Sequence, residues 1–271
     1  MKAQLIPLFL TVVVFAVLTA LLHACMVFFN TLPLRELVVL EIRWVDVLVG
    51  GTIYLKTAID FAIFMGRLMA ANPGWKNRIA IEIGSAFGNA IGTIIVIGLW
   101  VLFKDIHLLL ALMVFIASLV LFELAYGSLE HFQSLTQPHT ILKKLLTITK
   151  RITDPILSRI MPDISHAMRG GKNLPWWGLL GFSMSVPFIL GLDDFAGYVP
   201  LFSVINVYGF AIGVIGAHTL LNIALFLSPK RTIAAVKNAW ISLVGTLAFI
   251  GLAIYGLVET VKIVLEAFHL L

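Results

Sequence analysis

Residues 4–28 read QLIPLFLTVVVFAVLTALLHACMVF and contain no charged side chain. A helix of about 20 mostly apolar residues crosses the roughly 30 Å hydrocarbon core of a bilayer. The stretch is also longer than the apolar part of a secretory signal peptide, which has about 7 to 15 residues. It therefore predicts an uncleaved membrane-spanning helix.

The composition of the whole chain points to lipid as its solvent. Of the 271 residues, 60% are hydrophobic and only 12% are charged, whereas a soluble domain carries roughly 25% charged residues. The formal net charge is +5, but the lysines and arginines lie in short segments between apolar runs, a pattern that argues against nucleic acid as a partner. The single cysteine, Cys25, excludes an intramolecular disulfide and a cysteine-based metal cluster.

Six further apolar stretches resemble the first one. Together they predict an all-α integral membrane protein with seven transmembrane helices. The predicted spans cover residues 4–28, 46–69, 79–102, 106–127, 176–199, 203–227 and 239–262.

One long polar segment, residues 128–175, separates the fourth span from the fifth. Within it, apolar residues recur at spacings of four, three and four, and lysines and arginines occupy the other faces. This pattern is typical of an amphipathic helix that lies on the membrane surface. We expect a basic linker on the cytoplasmic side.

The positions of the basic residues predict the orientation, because cytoplasmic loops carry an excess of Lys and Arg. With seven spans, 14 of the 19 basic residues fall on one side of the membrane, four fall on the other, and Lys56 lies inside a span. The amino terminus is therefore predicted to be cytoplasmic and the carboxyl terminus to lie outside, in the inner (plasma) membrane of a bacterium.

Two pairs of spans carry the same motif. TAIDFAIFMG at 57–66 precedes EIGSAFGNAIG at 82–92, and ILGLDDFAGYV at 189–199 precedes GVIGAHTLLN at 213–222. Each pair has Asp-Phe-Ala in its first helix and an Asn in its glycine-rich second helix, with similar distances along the chain from Asp to Asn. This similarity predicts a duplicated unit.

Each copy has three spans, so its first helix runs inward in one copy and outward in the other, an arrangement found in secondary transporters. Chance similarity between apolar sequences is the alternative, since Gly, Ala and Phe are common in spans. The predicted organisation is an N-terminal helix (1–30), repeat 1 of three helices (46–127), the linker (128–175) and repeat 2 of three helices (176–262).

Ionisable side chains inside spans are candidates for function, because each costs roughly 2.5 to 3.5 kcal/mol on insertion scales. Asp60 and Asp194 occupy the repeated motif, so we expect them to bind an ion. Lys56 precedes Asp60 by four residues, so an internal ion pair is the alternative there.

Carboxylates and amide oxygens are hard ligands that suit Mg²⁺, Ca²⁺ or Mn²⁺. An imidazole also admits transition metals and titrates near neutral pH. Hydrogen bonding across a helix interface is the alternative role for Asn and His in a span. The predicted metal ligands are Asp60, Asp194, Asp193, Asn89, Asn222, His218 and Glu82.

With IDFA at 59–62 and DDFA at 193–196, each followed by a glycine-rich helix with Asn, the chain resembles the LysE/TerC superfamily of small membrane transporters. The resemblance implies two inverted three-helix units and export of divalent cations or, in some branches, of amino acids. It also implies that Asp60, Asp194, Asn89 and Asn222 line the transport site. The Asp-Asn pair of the TerC branch is absent from both repeats.

The sequence therefore predicts a secondary transporter that moves a divalent cation by alternating access, coupled to protons. The cation would be substrate, and no cofactor is expected. An amino-acid or other small-solute exporter is the first alternative, because Lys56 could bind a substrate carboxylate. An intramembrane enzyme using His218 is the second, although GxSxG and HExxH motifs are absent from the sequence. Whether copies of the chain assemble into a homo-oligomer stays open.

Overall fold

The computed structural model describes residues 2–33, 37–133, 174–196, 198–203, 205–236 and 238–268, and the single positions 144, 147 and 151. All regular secondary structure in these ranges is helical. A 3-10 helix (Val199–Ser203) accompanies the α-helices α1 (Lys2–Phe29), α2 (Trp44–Thr57), α3 (Ile59–Ala71), α4 (Trp75–Phe103), α5 (His107–Gln133), α6 (Trp176–Ala196), α7 (Val207–Leu227), α8 (Pro229–Val236) and α9 (Ala239–Ala267).

Five helices of the described ranges, α1, α4, α5, α7 and α9, are long and apolar enough to cross a membrane. This is the architecture of a multi-pass membrane protein, as the apolar stretches predict. The count of seven spans and the division into two repeats stay predictions. The amphipathic helix predicted in the linker lies outside the described residues, apart from positions 144, 147 and 151, which are helical.

The predicted second span, 46–69, consists of two shorter apolar helices, α2 and α3, which meet at Ala58. The carbonyl oxygen of Tyr54 accepts two hydrogen bonds there, from the Ala58 N–H at 2.9 Å and from the Thr57 hydroxyl at 3.0 Å. The first of these is the regular helical bond, and the departure from helical geometry is at Ala58 itself, with φ −74° and ψ 14°. The interruption lies two residues before Asp60, at the repeated motif.

A short helix that the sequence analysis did not predict follows α7. In α8 (Pro229–Val236), Ile233 packs against Gly66 of α3. Because α8 carries Lys230 and Arg231 next to this apolar contact, it is amphipathic.

The chain forms two compact units. Unit 1 consists of Met1–Ile97, Ile164–Leu192 and Asn206–Val236, and unit 2 consists of Gly98–Asp163, Asp193–Ile205 and Lys237–Leu271.

Glycines let the helices of unit 1 approach closely. A Cβ atom added to Gly213 of α7 would lie 2.1 Å from the carbonyl oxygen of Val47 in α2, and one added to Gly88 of α4 would lie 2.1 Å from that of Met184 in α6. Small residues at helix contacts are the usual means by which membrane helices pack, since lipid tails provide no hydrophobic drive for association. The pairs α2/α7 and α4/α6 are therefore backbone-close contacts.

Unit 2 is held by α5 packed along α9. Leu121, Ala125, Phe249 and Ala253 form its buried apolar cluster. The 3-10 helix contacts both helices, so it closes this pair.

We predict that Gly213→Ala lowers the free energy of unfolding by about 1 to 3 kcal/mol, the usual cost of overpacking. The added methyl group would clash with backbone, which cannot rotate away. Thermal unfolding of the detergent-purified protein measures the effect. Gly181→Ala is the matched control, because a Cβ there meets no atom within 4 Å. Equal melting temperatures for the two variants would contradict the close α2/α7 contact.

Candidate functional site

Unit 1 contains a line of buried polar side chains on two of its candidate spans. On α4, Glu82, Ser85 and Asn89 follow one another at spacings of three and four residues, and on α7 His218 and Asn222 are four apart. Such spacings place the side chains on one face of each helix. All five are at most 5% exposed, so their polar atoms depend on the protein for partners.

Asn222 connects the two helices. Its Nδ2 donates to Ser85 Oγ at 3.1 Å and to His218 Nε2 at 3.0 Å. Because Nε2 accepts in this arrangement, the neutral His218 ring carries its proton on Nδ1. Both amide hydrogens of Asn222 are thus used, while its Oδ1 is buried and has no hydrogen-bond partner. A free buried acceptor of this kind is suited to a water or a cation.

The imidazole of His218 is held by residues on both sides of the α2/α3 interruption. The Tyr54 hydroxyl lies 2.5 Å from Nδ1, and the Phe61 ring lies with its centroid 5.0 Å from that of the imidazole. Tyr54 and Phe61 are seven residues apart, on either side of Ala58, and contact the same ring. The interruption therefore belongs to the local structure of the site.

The Glu82 carboxylate accepts a hydrogen bond from a side chain of α1. The Thr11 hydroxyl donates to Glu82 Oε1, and Ser85 Oγ donates to the Glu82 carbonyl oxygen at 3.0 Å. Next to this carboxylate is a cavity of about 10 Å³, and Thr11, Glu82 and Asn222 are among its lining residues. That volume suffices for about one water molecule.

The cavity is lined by the polar side chains of Thr11, Glu82, Thr219 and Asn222 and otherwise by apolar ones. Among the described residues, no group of three or more His, Cys, Asp or Glu side chains could hold a metal ion. A cation at the cavity would therefore be bound by one carboxylate, Glu82, together with amide and hydroxyl oxygens. Hard cations accept such mixed oxygen ligands and keep part of their water.

The structure brings together three of the seven predicted ligands, Glu82, His218 and Asn222. Asn89 lies one turn beyond Ser85 on α4, and its buried Nδ2 has no hydrogen-bond partner.

The other three predicted ligands are carboxylates. The backbone of Asp60 begins α3 and those of Asp193 and Asp194 belong to the last turns of α6, but the three side chains lie outside the described residues. Their roles stay predictions.

Sequence reasoning missed Thr11, Tyr54 and Ser85. Hydroxyl groups are common in membrane spans, and Ser85, although it lies within the motif at 82–92, is not repeated as a serine in the second copy. One signal was available for Ser85, because it lies four residues before Asn89 just as His218 lies four residues before Asn222. The other two depend on how α1 and α2 pack, which no local pattern reveals.

A second polar group surrounds the starts of α2 and α7. Arg43 Nε lies 2.7 Å from Asp46 Oδ2, and this hydrogen bond and charge raise the pKa of the Arg43 guanidinium. The Asn206 side chain caps α7, because its Oδ1 accepts from the Tyr208 N–H at 2.9 Å. Its Nδ2 donates to the Glu41 carbonyl oxygen at 3.0 Å. These contacts fasten one end of α2 and α7 and do not reach the cavity.

No protein family, no curated protein and no solved structure matches this chain. The contacts within unit 1 are therefore the basis for the function proposed below.

We predict that Thr11→Val destabilises the protein, because the buried Glu82 carboxylate loses a donor while the side-chain volume is kept. Leaving a buried charged acceptor unsatisfied costs about 1 to 3 kcal/mol or more. Thermal unfolding in detergent tests this, with Thr19→Val as the matched control on the same helix. The Thr19 hydroxyl is buried without a hydrogen-bond partner, so its loss should leave the melting temperature unchanged or raise it. Equal destabilisation by both changes would contradict the Thr11–Glu82 bond.

Proposed function

We propose that this protein is a secondary transporter that moves a divalent cation across the membrane in exchange for protons. The observation that carries the proposal is the buried network of Glu82, Ser85, Asn222 and His218, which joins two candidate spans beside a small cavity. Ionisable groups inside spans are costly and mark ion or proton pathways.

The cation would bind where oxygen acceptors converge. Glu82 supplies the negative charge, and the free Asn222 Oδ1 supplies a neutral oxygen that the protein leaves without a donor. Both residues line the cavity. Because carboxylate, amide and hydroxyl oxygens are hard ligands, Mn²⁺, Mg²⁺ or Ca²⁺ is favoured over a soft, thiolate-seeking metal.

Proton coupling follows from the chemistry of the same residues. A carboxylate must be deprotonated to bind a metal, so cations and protons compete for Glu82. His218 can take up a proton at Nε2 if the Asn222 amide turns over, since Oδ1 would then accept from Nε2–H. Protonation at His218 would in this way withdraw the Asn222 oxygen from the cation and favour its release.

The helix contacts support the proposed inverted repeats. In unit 1, the first helix of each predicted repeat packs on the second helix of the other, as α2 on α7 and α6 on α4. In unit 2, the third helices α5 and α9 pack on each other. Each pair thus joins a helix of one predicted repeat to a helix of the other, as two related three-helix units would require. Inverted repeats of this kind generate the two alternating states of many transporters.

The resemblance to the LysE/TerC superfamily, the bacterial inner-membrane location and the cytoplasmic amino terminus are part of the same proposal. They depend on the repeated Asp-Phe-Ala motif and on the distribution of Lys and Arg.

Flux into proteoliposomes tests the proposal. We predict that the wild type takes up Mn²⁺ when an outward proton gradient drives exchange and that Glu82→Gln lowers this uptake at least about tenfold, since losing one charged ligand costs more than roughly 1.4 kcal/mol. Glu41→Gln is the control, because this carboxylate is exposed and does not line the cavity, and the backbone carbonyl that accepts from Asn206 is kept.

Two further variants test the repeated motif. Asp60→Asn and Asp194→Asn should each abolish proton-driven uptake if both carboxylates act on the transport path.

Undiminished uptake in Glu82→Gln would overturn the role of the network, whereas the absence of uptake for Mn²⁺, Mg²⁺ and Ca²⁺ in the wild type would overturn cation transport itself.

A further inference from the structure

One end of unit 1 gathers basic side chains from three helices. Arg67 belongs to α3, Lys76 and Arg78 to the start of α4, and Lys230 and Arg231 to α8. We call these five residues the basic end. Contacts between these helices show that the residues share one end. Ile233 of α8 packs against Gly66 beside Arg67, and Arg78 Nη1 lies 3.4 Å from the carbonyl oxygen of Phe226, at the end of α7.

The basic end has no acidic counterpart nearby in the chain. Residues 61–81 and 195–258 contain neither Asp nor Glu. Within these segments the five positive charges have no carboxylate to neutralise them. The carboxylate of Glu82, four residues after Arg78 on α4, accepts a hydrogen bond from the Thr11 hydroxyl. Like charges repel each other, so such a cluster is stabilised by a bound anion.

Arg78 is the most enclosed member of the cluster. Its guanidinium lies 5.6 Å from the centre of the Phe226 ring, and its Nε is buried without a hydrogen-bond partner. The planar guanidinium is suited to a phosphate group, to which it can donate two parallel hydrogen bonds. The unused Nε donor thus marks where an anionic oxygen would bind.

Tryptophans place this end at the membrane surface. Trp176 Nε1 donates to the carbonyl oxygen of Lys76 at 3.1 Å, which ties the start of α6 to the start of α4. Trp75 and Trp177 are 48% and 77% exposed. Exposed tryptophans of membrane proteins lie at the level of the lipid headgroups, so the phosphates of the bilayer are the anions nearest to Arg78.

We propose that the basic end binds the headgroup of an anionic phospholipid, with Arg78 holding the phosphate and Lys76, Lys230 and Arg231 attracting its charge. A lipid fits better than a soluble anion, because the exposed Trp75 and Trp177 offer apolar surface for the acyl chains next to the cations. Basic clusters beside transmembrane helices bind anionic headgroups in this way. The inference is independent of the transported substrate.

Lipid titration of the purified full-length protein tests this. Phosphatidylglycerol added to the protein in dodecyl maltoside should raise its melting temperature by several degrees and give a bound lipid in native mass spectrometry, whereas phosphatidylcholine should do neither. Arg78→Gln should reduce the phosphatidylglycerol shift by at least half. Lys262→Gln should keep the full shift, because the Lys262 ammonium already has a carboxylate partner, Glu259, at 3.4 Å.

Lys230→Gln combined with Arg231→Gln provides a second test at exposed positions, in case Arg78→Gln does not fold. This double variant should weaken the shift and make it less sensitive to added salt. Equal stabilisation by phosphatidylcholine, a full shift in both sets of variants, or the same shift with inorganic phosphate alone would overturn the assignment of a phospholipid.

Discussion

The Glu82 carboxylate is buried in a helix that is apolar enough to cross a membrane, and the packing of unit 1 around it follows from that constraint. A buried charge must be compensated by hydrogen bonds or by a counterion. Here α1 contributes the Thr11 hydroxyl to the carboxylate. On α4, Ser85 donates to the Glu82 backbone carbonyl and accepts from Asn222 on α7. The site therefore requires α1, α4 and α7 to stand next to each other.

Close backbone approach makes this arrangement possible. Where Gly213 of α7 meets Val47 of α2, no side chain separates the two helices, so Tyr54, two turns further along α2, can reach His218. The turn at Ala58 then places Phe61 against the same ring. Packing and site chemistry thus share one cause, since the glycines set the distance that the hydrogen bonds of His218 require.

Much of the fold class could be predicted from the sequence, because an apolar run of about 20 residues has few alternatives to a spanning helix. The interruption at Ala58 could not, since Ala58 is neither Gly nor Pro and alanine is the best helix former. Asn222, His218 and Glu82 stood out because polar groups are rare in spans. Thr11 and Tyr54 did not, because a lone hydroxyl in a span becomes informative only when its partner is known.

The central claim is that Glu82 binds a cation and a proton at the same place. The most direct measurement is the number of protons released when Mn²⁺ is added to the detergent-purified protein in weak buffer, read with a pH indicator and combined with calorimetric titration. The account predicts saturable binding that releases about half a proton per ion at the pH where half of the sites are protonated and about one proton per ion at lower pH, and neither binding nor release in Glu82→Gln. Saturable binding that releases no proton at any pH, or that persists in Glu82→Gln, would contradict it.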